Sequence, residues 1–129
     1  MRAPAFASLT VTLVALAASA SSTAPVAADP PLAPEHSVTC KPTQVAVFTG
    51  SRVHVKCDKP WTNPSTSAKA WYFALPLGDA AAPLVQAAGH AALTGGKKVM
   101  IYFRTDPAEN PGGCQATDCR KLTGIAVVN

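Results

Sequence analysis

Acidic side chains are scarce in this sequence: seven Asp and Glu among 129 residues. No two of them stand at a spacing typical of a glycosidase pair or a metal site. Asp106-Pro107-Ala108-Glu109-Asn110 puts two carboxylates in one loop, but it lacks the spaced oxygen ligands of a calcium loop. There is no Gly-x-Ser-x-Gly elbow, no His-Glu-x-x-His and no phosphate-cradling glycine loop. His36, His54 and His90 stand alone, and a lone histidine is more often surface filler than a general base. These absences read as a non-enzymatic protein that needs no cofactor. A small hydrolase built on His54 or His90 is the catalytic alternative.

Long apolar runs are lacking too. The stretch from Ala5 to Ala18 is apolar and uncharged, but it is too short to span a bilayer. Arg2 precedes it, and Ala18-Ser19-Ala20 offers the small-x-small form of a cleavage site. Residues 1–20 therefore read as a signal peptide, with no transmembrane segment. Residues 21–35 are proline- and alanine-rich without apolar period, as in a flexible leader. The folded part is expected over residues 36–129, a size at which a core is small and staples are common. The expected location is secreted or periplasmic.

All four cysteines, Cys40, Cys57, Cys114 and Cys119, fall in that part. An even count in an exported chain predicts two disulfides rather than a zinc site, since only Cys114 and Cys119 are close and no histidine flanks them. The formal charge is +4, with basic pairs at Lys97-Lys98 and Arg120-Lys121. Mild basicity suits anionic surfaces such as acidic glycans or phosphate headgroups, while export argues against nucleic acid as the partner.

Gln44–Phe48 and Ser51–Cys57 read as a hairpin turning at Thr49-Gly50. In its second strand Val53 and Val55 alternate with Arg52, His54 and Lys56, giving one apolar and one wet face. Asp58–Lys69 reads as a loop holding Trp61, which either caps the core or presents a binding surface. Ala70–Leu75 is the third strand, with Trp71, Phe73 and Leu75 on one face. A helix follows, capped by Asp79, with Leu84, Ala87, Ala88, Ala91 and Ala92 at helical spacing, and stopped at Gly95-Gly96. Lys97–Phe103 is the fourth strand. Thr105–Asp118 is a long loop, and Leu122–Val128 is the last strand, with a bulge or bend at Gly124. The order β-β-β-α-β-β, mainly β with one helix between strands 3 and 4, is the plan of a five-stranded OB-like barrel. The hairpin register brings Cys40 and Cys57 to one end, which leaves Cys114 to pair with Cys119.

On such a barrel the exposed face and its bordering loops make the usual contact surface. The candidate ligand-binding residues are Arg52, His54 and Lys56 on strand two, Trp61, Tyr72 on strand three, and Tyr102 and Arg104 on strand four. Aromatic faces stack on sugar rings, and arginine and lysine pair with carboxylates or phosphates.

The segment from Leu84 through Thr94-Gly95-Gly96-Lys97-Lys98-Val99-Met100-Ile101-Tyr102, and the late Cys114-Gln115-Ala116-Thr117-Asp118-Cys119, resemble the B subunits of bacterial AB5-type toxins. The nearest in pattern are the subtilase cytotoxin B subunit and its pertussis-like relatives. The resemblance implies an exported, disulfide-bonded OB fold, a homo-oligomeric ring of five and binding of sialylated glycans. A full strand follows the cysteine pair here, a departure from the toxin pattern. The expected function is a small secreted binding module for glycans or an anionic surface. The alternative is a secreted protein inhibitor or cell-envelope interaction protein, acting on another protein through the loop 105–118.

Overall fold

The period of two around Val53 and Val55 sets the sheet. In the computed structural model, which describes residues 35–129, both valines are fully buried. The expected signal peptide and leader residues 21–34 lie outside the described residues. The elements are β1 (Glu35–Cys40), β2 (Pro42–Phe48), β3 (Arg52–Thr62), β4 (Lys69–Pro76), α1 (Ala82–Thr94), β5 (Lys98–Arg104), a short 3-10 turn (Pro107–Glu109) and β6 (Cys119–Val128). The fold is mainly β: one mixed sheet in the order β1-β5-β6-β4-β3-β2, with one helix. The β4–β6 pair is parallel and the other four are antiparallel.

The five-stranded barrel is corrected on two points. There are six strands, because the stretch from Glu35 to Thr43, where no element was expected, forms β1 and the start of β2. The helix accordingly sits between the fourth and fifth strands. The sheet is also not closed: β1 and β2 are its two edges, and no ladder joins them. Lys41 is the single residue between those strands. Its N–H donates to Asp58 Oδ1 at 2.9 Å, and its carbonyl accepts from the Asp58 N–H at 2.9 Å. The chain there passes from one sheet edge to the other.

β3 runs on through Trp61, where a loop was expected. The connection shrinks to a tight turn, since Asn63 N–H donates to Ala68 carbonyl at 2.8 Å and Asn63 Oδ1 accepts from Ser65 N–H at 2.8 Å. At the other end, β5 and β6 shift register where Tyr102 faces Gly124 and Phe103 faces Leu122, the irregularity expected at that glycine.

The core lies between the inner sheet face and α1. Phe73, Phe103, Ile101, Leu122, Val53, Val55 and Val99 are all nearly or fully inaccessible. Phe103 is the hub, with its ring centroid 4.9 Å from Phe73, 5.0 Å from Trp61 and 5.8 Å from His36. Trp61 thus takes the core-capping role. The helix buries Ala82, Val85, Gly89 and Ala92, one line over from the expected one, and Leu84 is 72% exposed. Gly89 explains the choice: a Cβ there would lie 2.9 Å from Val45 Cγ2, so only a glycine line lets the helix sit this close. Asp79 does not cap the helix directly. It accepts from Ala81 N–H at 2.8 Å, in a turn just ahead of the first helical residue.

Both disulfides pair as the register reading prefers, Cys40 with Cys57 and Cys114 with Cys119. Pro42 lies opposite Cys57, which brings Cys40 alongside. Two disulfides point to an oxidising, extracytoplasmic location. Among the described residues no helix is long and apolar enough to cross a membrane.

Candidate functional site: a groove over the outer face of the hairpin

Because side chains alternate, Arg52, His54 and Lys56 emerge on the sheet face opposite Val53 and Val55. That face is not simply wet. A second, small cluster of Ala74, Cys114 and Cys119, with Tyr72 packed against it, covers part of it. His54 is consequently only 6% exposed. This corrects the expectation of a solvated polar face: the loop after β5 folds back over β3 and β4 and makes a second layer.

Several hydrogen bonds hold that loop down. Arg120 is buried, and its Nη1 donates to the Ala116 and Cys119 carbonyls at 2.6 Å each. Asn110 Nδ2 donates to the Cys119 carbonyl at 3.3 Å. Trp71 and Tyr72 N–H groups both donate to the Asp118 carbonyl, at 2.8 and 3.1 Å. On the other side, Arg52 Nη1 and Ser51 Oγ donate to the Gly112 carbonyl at 2.9 and 2.8 Å. Gly113 has φ +76°, and a Cβ on it would fall 2.1 Å from Arg52 Nη1. Gly113→Ala is therefore expected to cost about 1–3 kcal/mol, from the left-handed backbone and the displaced guanidinium together. Urea unfolding measures the cost, and loss of the Arg52 side-chain NMR resonances from their wild-type positions reports the shifted wall.

Between hairpin and loop lies a groove of about 470 Å³, lined by Gln44, Phe48, Arg52, His54, Tyr72, Gly113, Gln115, Asp118 and Cys119. Rings and the Arg52 guanidinium make its floor. The His54 ring sits between Phe48, at 4.9 Å, and Tyr72, at 5.1 Å. The Arg52 guanidinium lies 4.4 Å from the Phe48 ring centre, and Lys56 Nζ lies 5.4 Å from that of Tyr72. Arg52 Nε and His54 Nε2 are buried with no hydrogen-bond partner. The ion pairs among the described residues join Glu109 to Arg104 and Lys121, so neither Arg52 nor Lys56 is neutralised by a carboxylate at contact distance.

His54 titrates below the ordinary imidazole range, chiefly because burial penalises the charged ring and then because Arg52 and Lys56 repel it. The unfolded chain therefore binds the proton more readily than the folded one. Stability should be full above about pH 6.5 and fall as the pH drops below it, until the folded-state pKa is passed. Thermal melts at pH 7.5 and pH 5 check this: the drop for wild type should exceed the drop for His54→Gln.

Of the sequence-derived candidates, Arg52, His54 and Tyr72 line this groove, and Lys56 lies just beyond it beside Tyr72. Trp61 faces the core. Tyr102, 37% exposed, lies on β5 with its hydroxyl donating to Met100 Sδ at 3.1 Å. Arg104 lies beside Glu109, with its Nε 3.5 Å from the carboxylate. Sequence reasoning missed Gln44, Phe48, Gln115 and Asp118. The first two were within reach, since the turn at Thr49-Gly50 places Phe48 opposite Arg52 and Gln44 opposite Lys56. Gln115 and Asp118 arrive from a loop of no regular period, which left no signal. No group of three or more His, Cys, Asp or Glu among the described residues is arranged to hold a metal ion. No protein-family model matches the chain, and no curated protein matches it either.

Proposed function

We propose that this is a small exported binding module whose outer groove takes an acidic sugar. The observation that carries the reading is the groove lining: the Phe48 and Tyr72 rings on either side of His54, and the Arg52 guanidinium with no carboxylate at contact distance. Aromatic faces suit the apolar faces of a pyranose ring, and a guanidinium suits a carboxylate. Gln44, Gln115 and Asp118 add groups that bond to hydroxyls.

The fold supports the same reading. Only Lys41 separates β1 from β2, and with those two counted as one bent strand, five strands remain with the helix between the third and fourth. We read this as an opened variant of the OB-like plan. In that plan the face of strands two and three, flanked by the loop between strands four and five, is where oligosaccharides and oligonucleotides bind. On that reading, the groove over β3 and β4, walled by the loop 105–118, corresponds to that position. The partial resemblance to toxin B subunits points the same way. The inhibitor reading draws less support, because the loop's hydrogen bonds tie it down as a wall of the groove.

An array of acidic and neutral saccharides tests the proposal. Retention of uronic or sialic acids, lost in Tyr72→Ala, is the expected result. No saccharide bound at millimolar concentration, or binding indifferent to Tyr72→Ala, overturns it.

A further inference from the structure

The groove does not end at Tyr72. A second cavity of about 280 Å³ is lined by Lys56, Trp71, Tyr72 and Asp118, and it shares Tyr72 and Asp118 with the first. From the residues at this junction we infer that the ligand is an internal stretch of a linear acidic polysaccharide, spanning both cavities, rather than a single terminal sugar. This rests on the acidic-sugar reading above.

Three observations carry it. Arg52 and Lys56 stand four residues apart on one strand, about 13 Å along it, so one sugar carboxylate cannot reach both. Each cation has its own ring: Arg52 lies by Phe48 and Lys56 by Tyr72, with Trp71 beside the second. That makes two platforms, each pairing a stacking surface with a positive charge. Asp118 lines both cavities, and its backbone carbonyl is fixed by the Trp71 and Tyr72 N–H groups. A carboxylate at the junction accepts hydrogen bonds from sugar hydroxyls and repels a phosphate or carboxylate placed there. This suits a polysaccharide, which carries hydroxyls beside each of its charges, over a DNA strand or polyglutamate, whose repeating units carry none.

Calorimetric titration of the disulfide-bonded protein with galacturonic acid and with tetragalacturonate tests this. The tetramer should bind at least about tenfold more tightly than the monomer. Trp71→Ala and Lys56→Gln should each bring that ratio towards one by weakening binding of the tetramer. Circular dichroism reports whether Trp71→Ala is folded, and Lys56→Gln, at a partly exposed site, carries the test if it is not. Equal affinity for monomer and tetramer overturns the two-platform inference but leaves the acidic-sugar reading standing. Binding of neither overturns both. Tighter binding of an oligonucleotide or polyglutamate of equal charge overturns the choice of a polysaccharide.

Discussion

Phe103→Ala should destabilise the protein by about 3–5 kcal/mol, the range for truncating a fully buried aromatic ring. Phe103 is inaccessible to solvent and touches rings from three other strands: His36 of β1, Trp61 of β3 and Phe73 of β4. Those strands lie far apart in the ladder, since β1 is at one edge and β3 is next to the other. They meet at Phe103 only because the sheet curls. Removing the ring therefore opens a cavity and also loosens the curl. A domain with total stability of 5–15 kcal/mol has little left after such a loss. Urea unfolding followed by tryptophan fluorescence is the measurement, and Trp61 makes it sensitive to this region. A loss below about 1 kcal/mol would mean that the curl is held elsewhere.

The second large effect concerns Cys40 and Cys57. Their bridge closes a segment with a sequence separation of 17 residues, for which the chain-entropy relation gives about 3 kcal/mol. Both side chains are buried, at 4% and 1% exposure, so replacing the pair with alanine adds a packing loss. The bridge joins β1 to β3 beside Lys41, where the sheet has no ladder of its own. Cys40→Ala/Cys57→Ala should thus be the costlier of the two disulfide removals. The Cys114–Cys119 bridge closes a separation of only 5 residues, worth about 2 kcal/mol on the same relation. Its removal should weigh more on the groove, since Cys119 and its neighbours form the wall. Chemical unfolding of the two double variants gives the comparison directly.

How much of this was legible in the sequence follows from where the information lies. Alternation is local, so β3, β4 and β5 and their buried faces could be read from Val53, Val55, Phe73, Val99, Ile101 and Phe103. The hairpin register was readable for the same reason, and with it the Cys40–Cys57 pairing. β1 was not, because its inner line of His36, Val38 and Cys40 holds only two apolar residues and takes its order from pairing with β5. The helix was visible but its buried line was not. A run of alanines offers several equivalent faces, and the choice fell to Gly89 through contact with Val45 and Val55, residues of distant strands. The candidate site divides the same way. Arg52, His54 and Lys56 share a face by period alone. The burial of His54, and the part played by Asp118, depend on a loop folding back across the sheet, held by Arg52, Asn110 and Arg120.

The central claim is that this outer groove is where the protein holds its ligand. The direct measurement is a two-dimensional NMR titration of the isotope-labelled protein with tetragalacturonate. The account predicts saturable shifts concentrated at Arg52, His54, Lys56, Trp71, Tyr72 and Asp118, with β1 and the exposed face of α1 unmoved. Shifts centred on Tyr102 and Arg104, or none at saturating ligand, would contradict it.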